Sequence, residues 1–168
     1  MGEFLLPYGL VAKARDVIEA NRSAGRRITV AESCTGGLVS AALTEIPGAS
    51  DVFFGGFVTY SNESKSKRLG VGDDVISTFG AVSIATAWAM ARGALEGSDA
   101  DLAVAITGIA GPDGGTPSKP VGTVVFARAE RGQPVEEIHA DSKLLDASGG
   151  RSGVRLQAAL TALELLLP

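Results

Sequence analysis

ITVAESCTGGLVSAAL, residues 28–43, is the stretch whose reading decides the fold. Residues 27–31 lack polar alternation, which is the pattern of a strand buried on both faces of a parallel sheet. Glu32-Ser33-Cys34-Thr35-Gly36-Gly37 follows as a turn. An apolar helical pattern then runs over 37–46 and stops at Pro47-Gly48. A strand passing straight into a helix points side-chain hydroxyls, a thiol and a fan of unpaired backbone N–H groups beyond the strand's carboxyl end. The expectation is a helix mouth that holds or activates a ligand.

Working outward, Leu10, Val11, Ala14, Val17 and Ile18 recur at helical spacing and predict a surface helix over 7–24. Downstream, VFFGGFVTY (52–60) predicts a second strand at 56–60, followed by short helical turns at 64–69 and 73–79. Ser83 is placed to cap a helix over 84–96. LAVAIT (102–107) reads as a third buried strand, and 108–120 is too rich in Gly and Pro to be an element. Segments 121–129 and 135–140 flank Glu130-Arg131-Gly132-Gln133-Pro134, a hairpin signal, and a closing helix spans 154–167.

Strand–helix–strand crossovers lay consecutive strands parallel, so the first strand sits between the second and the third. The expected fold class is α/β: a three-layer α/β/α sandwich around a mixed five-stranded sheet, order 2-1-3-4-5, with strand 4 antiparallel. One domain over 1–168 accounts for the length. The first strand then lies at a topological switch point, and Ser33, residues 60–65 and residues 107–115 converge on one crevice.

Composition excludes several functions. With 15 Lys and Arg against 19 Asp and Glu, the net charge of −4 argues against nucleic-acid or anionic-membrane partners. The single cysteine forbids an intramolecular disulfide, and one His with one Cys cannot build a zinc site. Met1-Gly2-Glu3 is unlike a signal-peptide start, and no apolar run nears the ~20 residues of a membrane span, so the expected location is cytoplasmic. Edge strands and an apolar closing helix lead us to expect a homo-oligomer.

Three loops carry the candidate chemistry. Ser33 at the strand–helix junction is either a nucleophile favoured by the helix dipole or a cap, as is Thr35 for capping. Cys34 is the competing nucleophile or an inert buried thiol. The usual base would be histidine, yet the only one, His139, falls on the predicted last strand. Lys65 remains, as a base with a burial-lowered pKa or as a solvated charge. Tyr60 would relay the proton, orient the amine, or merely end a strand. Thr107 and the loop after it offer close backbone approach to a flat or anionic ligand. Arg151 and Arg155 are candidates to pair with a phosphate, or to face solvent.

AESCTGG (31–37), GFVTYSNESK (56–65), GAVS (80–83), TGIAGPDGG (107–115) and KPVGTV (119–124) together resemble the CinA C-terminal domain family. The resemblance runs from about Leu10 to Leu167 and is to the stand-alone form, without the family's upstream domain. It implies nicotinamide mononucleotide (NMN) amidohydrolase activity: hydrolysis of the ring carboxamide to nicotinate mononucleotide and ammonia, with no cofactor and no metal. It further implies Ser33 and Lys65 as the catalytic pair, Tyr60 and Thr107 as supporting residues, and Arg151 as the last-helix arginine. Thr35, Gly36 and Gly108 join Thr107 and Arg151 as expected substrate contacts. One position departs from many relatives, which carry an acid where this chain has Gly150. The alternatives are a non-catalytic nucleotide-sensing module and an amidohydrolase of another ring carboxamide.

Overall fold

The computed structural model describes residues 4–168; Met1, Gly2 and Glu3, on which the signal-peptide reading rests, lie outside the described residues. Five strands, β1 (Ile28–Glu32), β2 (Phe53–Val58), β3 (Leu102–Gly108), β4 (Thr123–Glu130) and β5 (His139–Leu144), form one sheet in the order β2-β1-β3-β4-β5. β1 pairs in parallel with β2 and β3, and β4 pairs antiparallel with both β3 and β5, so β4 alone runs against the rest. The expected fold class, strand order and direction of strand 4 all hold.

Alternation along the central strands sorts the two faces. Leu102, Val104 and Ile106 of β3 pack with α1 (Tyr8–Ser23), α2 (Leu38–Thr44) and α6 (Gly150–Leu165). Ala103 and Ala105 point the other way, against α5 (Ile84–Glu96), which answers with Ala87, Met90, Ala91 and Ala94. Small side chains on both partners let α5 lie close to the sheet. α3 (Asn62–Leu69) and α4 (Asp73–Phe79) complete that layer. At Gly93 a Cβ would lie 1.9 Å from the Leu69 carbonyl oxygen, so only glycine lets α5 pass the end of α3.

Three elements begin three or more residues from where the sequence places them. β2 starts at Phe53 rather than 56, because a register shift opposite Ile28 and Thr29, with Gly55 at φ 154°, absorbs an extra residue before the glycine pair. The last strand is not 135–140: residues Val135–Glu137 make a single turn after Pro134, and β5 begins at His139. β5 is an exposed edge strand of largely polar residues, so the apolar signal that selected 135–140 was reading the turn before it. The closing helix starts at Gly150 instead of 154, which puts Arg151 in its first turn.

Candidate active site

The junction after β1 does not pass directly into a helix. Residues 33–37 form a turn, and α2 starts only at Leu38, with Gly37 in the left-handed conformation as its cap. Neither Ser33 nor Thr35 caps it. The expected fan of free N–H groups is also absent, because Glu32 takes it: its carboxylate accepts from the N–H groups of Gly37 (3.0 Å), Val39 (3.2 Å) and Ser40 (2.9 Å), and from the Ser40 hydroxyl (2.7 Å). The N–H groups of Gly36 and Leu38 donate to the carbonyls of Ser33 and Thr35. Among the described residues, the backbone N–H groups left in this turn without an accepting carbonyl or carboxylate are those of Cys34 and Thr35.

Lys65 comes from the opposite side. Ser61 accepts from the Ser64 N–H and caps α3, which leaves β2 through Thr59 and Tyr60 and turns Lys65 and Leu69 inward, one helical turn apart. Lys65 is 1% exposed, and its Nζ donates to Ser33 Oγ at 2.9 Å and to the carbonyls of Thr59 (2.8 Å) and Tyr60 (3.3 Å). Among the described residues no carboxylate forms an ion pair with it. Burial therefore holds its pKa below the ordinary lysine range. Burial also pushes the Cys34 thiol up to about 11; the Glu32 charge adds to the rise, while the residue's own N–H, Arg155 and Lys65 oppose it. At neutral pH Cys34 is a thiol, not a thiolate.

These groups meet in a crevice of about 190 Å³ beyond the carboxyl ends of β1, β2 and β3, lined by Ser33, Cys34, Tyr60, Asn62, Lys65, Ala81, Val82, Thr107, Gly108, Ala110 and Arg151. The convergence expected of the three loops is what the fold produces. His139 lies elsewhere, on the edge strand beside Arg128 and Leu165.

Tyr60 stands at the mouth, 60% exposed, and its hydroxyl accepts from Arg151 Nη2 at 2.7 Å. It orients the amine through its main-chain carbonyl, not through the phenol. Arg151 Nη1 donates to the Gly111 carbonyl at 2.8 Å, which ties α6 to the glycine-rich loop. The Thr107 hydroxyl donates to the Ala81 carbonyl at 2.8 Å and so holds the loop before α5 on the crevice wall. Gly108 is required where β3 passes β4, since a Cβ there would meet Val124 at 2.7 Å. Thr35 and Gly36 are corrected: Thr35 is buried, Gly36 faces outward, and neither lines the crevice.

Sequence reading missed the roles of Asn62 and Glu32, and named Arg155 without the contacts it makes. Asn62, inside a quoted motif, lines the crevice at the start of α3. Arg155 is no solvent-facing charge, since its Nε and Nη2 donate to the carbonyls of Cys34 (3.1 Å) and Thr35 (3.0 Å). Its place four residues after Arg151 was the available signal. Glu32 was visible as an acid at the end of an apolar strand, a position that requires partners.

Chemically, an alcohol held by a buried, uncharge-compensated amine beside free backbone donors is equipped for acyl transfer. Residues 11–168 match the family model described as CinA C-terminal domain. The chain is 53% identical over 145 residues to a putative competence-damage inducible protein of Symbiobacterium thermophilum, covering 84% of this chain and 34% of that protein. A CinA-like protein of Mycobacterium avium is 50% identical over 151 residues, covering 90% of this chain and 35% of its own length. The chain thus spans about a third of these relatives. Among solved structures, the competence/damage inducible protein CihA from Agrobacterium tumefaciens superposes with a TM-score of 0.90 at 46% identity, covering 99% of this chain and 97% of that one. A CinA superfamily protein from Klebsiella pneumoniae gives 0.86 at 36% identity, with 94% of each chain covered. This chain belongs to the CinA C-terminal domain family.

Proposed function

We propose that the protein hydrolyses the carboxamide of nicotinamide mononucleotide to nicotinate mononucleotide and ammonia, with Ser33 as nucleophile and Lys65 as base, as a cytoplasmic homo-oligomeric enzyme of pyridine-nucleotide salvage. The observation that carries the reading is the 2.9 Å contact between Ser33 Oγ and a buried Lys65 amine that forms no ion pair among the described residues. A neutral amine has two N–H bonds and one lone pair. Once Lys65 has given up the proton it directs at Ser33 Oγ, its two remaining N–H bonds hold the Thr59 and Tyr60 carbonyls and the lone pair faces Ser33, ready to accept its proton.

Ser33 Oγ then attacks the carboxamide carbon while Lys65 takes the hydroxyl proton. The Cys34 N–H is the free donor on the crevice lining left for the tetrahedral oxyanion. Lys65 returns the proton to the leaving nitrogen, the C–N bond breaks, and ammonia departs from an ester on Ser33. Water, deprotonated by Lys65, attacks that ester; the carboxylate leaves and the proton returns to Ser33. One amide and one water become one carboxylic acid and one ammonia. A crevice of about 190 Å³ is smaller than the ~300 Å³ at which whole-ligand pockets begin, so it suits the ring carboxamide, with sugar and phosphate at the mouth. Arg151 sits there with three of its five N–H groups uncommitted.

The test is ammonia release across a panel of ring carboxamides with wild type, Ser33→Ala and Lys65→Ala. NMN turnover by wild type alone supports the reading. Turnover of another carboxamide in preference to NMN replaces the substrate, and NMN binding without ammonia makes the crevice a sensor. A solution mass above the 17.1 kDa of one chain supports the homo-oligomer, and 17.1 kDa contradicts it.

A further inference from the structure

Glu32 is fully buried, carries four hydrogen bonds, and touches neither Ser33 Oγ nor the crevice. Its main chain is held from both sides: it pairs with Val58 of β2 and Ile106 of β3, and its carbonyl accepts from the Thr59 N–H at 2.8 Å. Its carboxylate reaches across the turn to the start of α2. The five residues between, 33–37, are thus a loop closed at both ends by a single side chain. Ser33, the first of them, adds its own N–H to the Ile106 carbonyl at 2.9 Å. The peptide unit that follows Thr59 supplies one of the two carbonyls that orient Lys65.

We infer that Glu32 is the positioning residue of the site: its strap between β1 and the start of α2 sets Ser33 Oγ against Lys65 Nζ. By taking the N–H groups of Gly37, Val39 and Ser40, it also leaves the Cys34 and Thr35 N–H groups as the turn's free donors. Arg155 is its counterpart of opposite charge, holding the Cys34 and Thr35 carbonyls from α6 so that the two peptide units cannot rotate. The inference rests on the reading of Ser33 as nucleophile and adds what makes that serine competent. A sub-ångström displacement is enough to matter, because proximity and alignment carry much of such a rate.

The experiment compares Glu32→Gln, Glu32→Asp and Ser40→Ala with wild type, measuring phosphonylation of Ser33 by a fluorophosphonate probe, ammonia release from NMN, and thermal unfolding. Glu32→Gln keeps the shape but turns an NH₂ group towards backbone N–H donors. Both its labelling rate and its kcat should fall by at least about thirty-fold, with KM changed less than about two-fold. Glu32→Asp keeps the charge and shortens the strap, so a loss of at least about five-fold is expected there. Ser40→Ala removes one of the four bonds and leaves the strap, so its rates should stay within about three-fold of wild type whatever its melting temperature. Wild-type labelling in a folded Glu32→Gln or Glu32→Asp overturns the inference, as does a loss in Ser40→Ala as large as that in Glu32→Gln, which would make Glu32 a helix cap and nothing more. Should Glu32→Gln not fold, Glu32→Asp decides. Should wild-type Ser33 resist the probe, the nucleophile reading fails by itself. Crystal structures of the two Glu32 variants then decide the positioning claim: Ser33 Oγ beyond hydrogen-bond reach of Lys65 supports it, and a retained 2.9 Å contact overturns it.

Discussion

Replacing Lys65 with methionine removes the amine and keeps a side chain of similar length in the same buried space. Three hydrogen bonds go, and the carbonyls of Thr59 and Tyr60 lose a donor. Leaving the buried Thr59 carbonyl unpaired costs about 1–3 kcal/mol, and the part-buried Tyr60 carbonyl costs less. Against that, methionine no longer requires an amine to be stripped of water, a relief of several kcal/mol. The two nearly cancel, so the folded protein should persist within about 2 kcal/mol of wild type. Catalysis has no such compensation: a general base contributes 10²–10⁴-fold, and in the proposed mechanism Lys65 serves both halves of the reaction, so kcat should fall by about 10⁴.

The same variant has a pH signature in stability. Burial lowers the pKa of Lys65 from 10.5 in the folded state. Between the lowered value and 10.5 the unfolded chain binds a proton at this position and the folded chain does not, so wild-type stability gains from this group as pH rises through that window. Lys65→Met should lose that gain. Denaturant unfolding of both proteins from neutral pH to 10.5, beside ammonia-release kinetics, measures both effects. Turnover within about ten-fold of wild type in a folded Lys65→Met would refute the base assignment.

Ser33→Ala should lower kcat by several orders of magnitude while costing only about 1 kcal/mol, since Ser33 caps nothing and loses a single accepted bond; calorimetry with kinetics checks both. Cys34→Ala should keep its turnover within about three-fold, because a thiol raised to about 11 is protonated at working pH. The wild-type thiol holds its proton in the folded state between 9.0 and about 11 when the unfolded chain has lost it, so Cys34→Ala should also remove a fall in stability across that range, read from unfolding at each pH. Gly93→Ala should lower the melting temperature by an amount equivalent to about 3 kcal/mol or prevent folding, since the clash is with backbone; an unchanged melting curve would contradict the close approach of α5 to α3.

β1, β3 and α5 could be read in the sequence because each is buried, and burial leaves an apolar run or a capped helical period. β5 could not, because an edge strand exposed along nearly its whole length carries the composition of a loop. The site divides in the same way. Ser33, Lys65 and Thr107 were legible because strand topology alone brings their loops together. The work of Glu32 was not, because three of its four donors are backbone N–H groups, which every residue has. For the same reason the helix-dipole argument for Ser33 failed: a carboxylate one residue away had already claimed those donors. Arg155 was misjudged because helical spacing reports which face a residue occupies, not that another loop's carbonyls lie against it.

The central claim is that the Ser33 oxygen carries the acyl group, and mass spectrometry of acid-quenched enzyme during NMN turnover tests it most directly. The account predicts a peptide containing Ser33 that is heavier by one substrate less one ammonia, present in wild type, absent in Ser33→Ala, and lost on incubation with hydroxylamine. The same mass increase on Cys34, or undiminished ammonia release by Ser33→Ala, would contradict it.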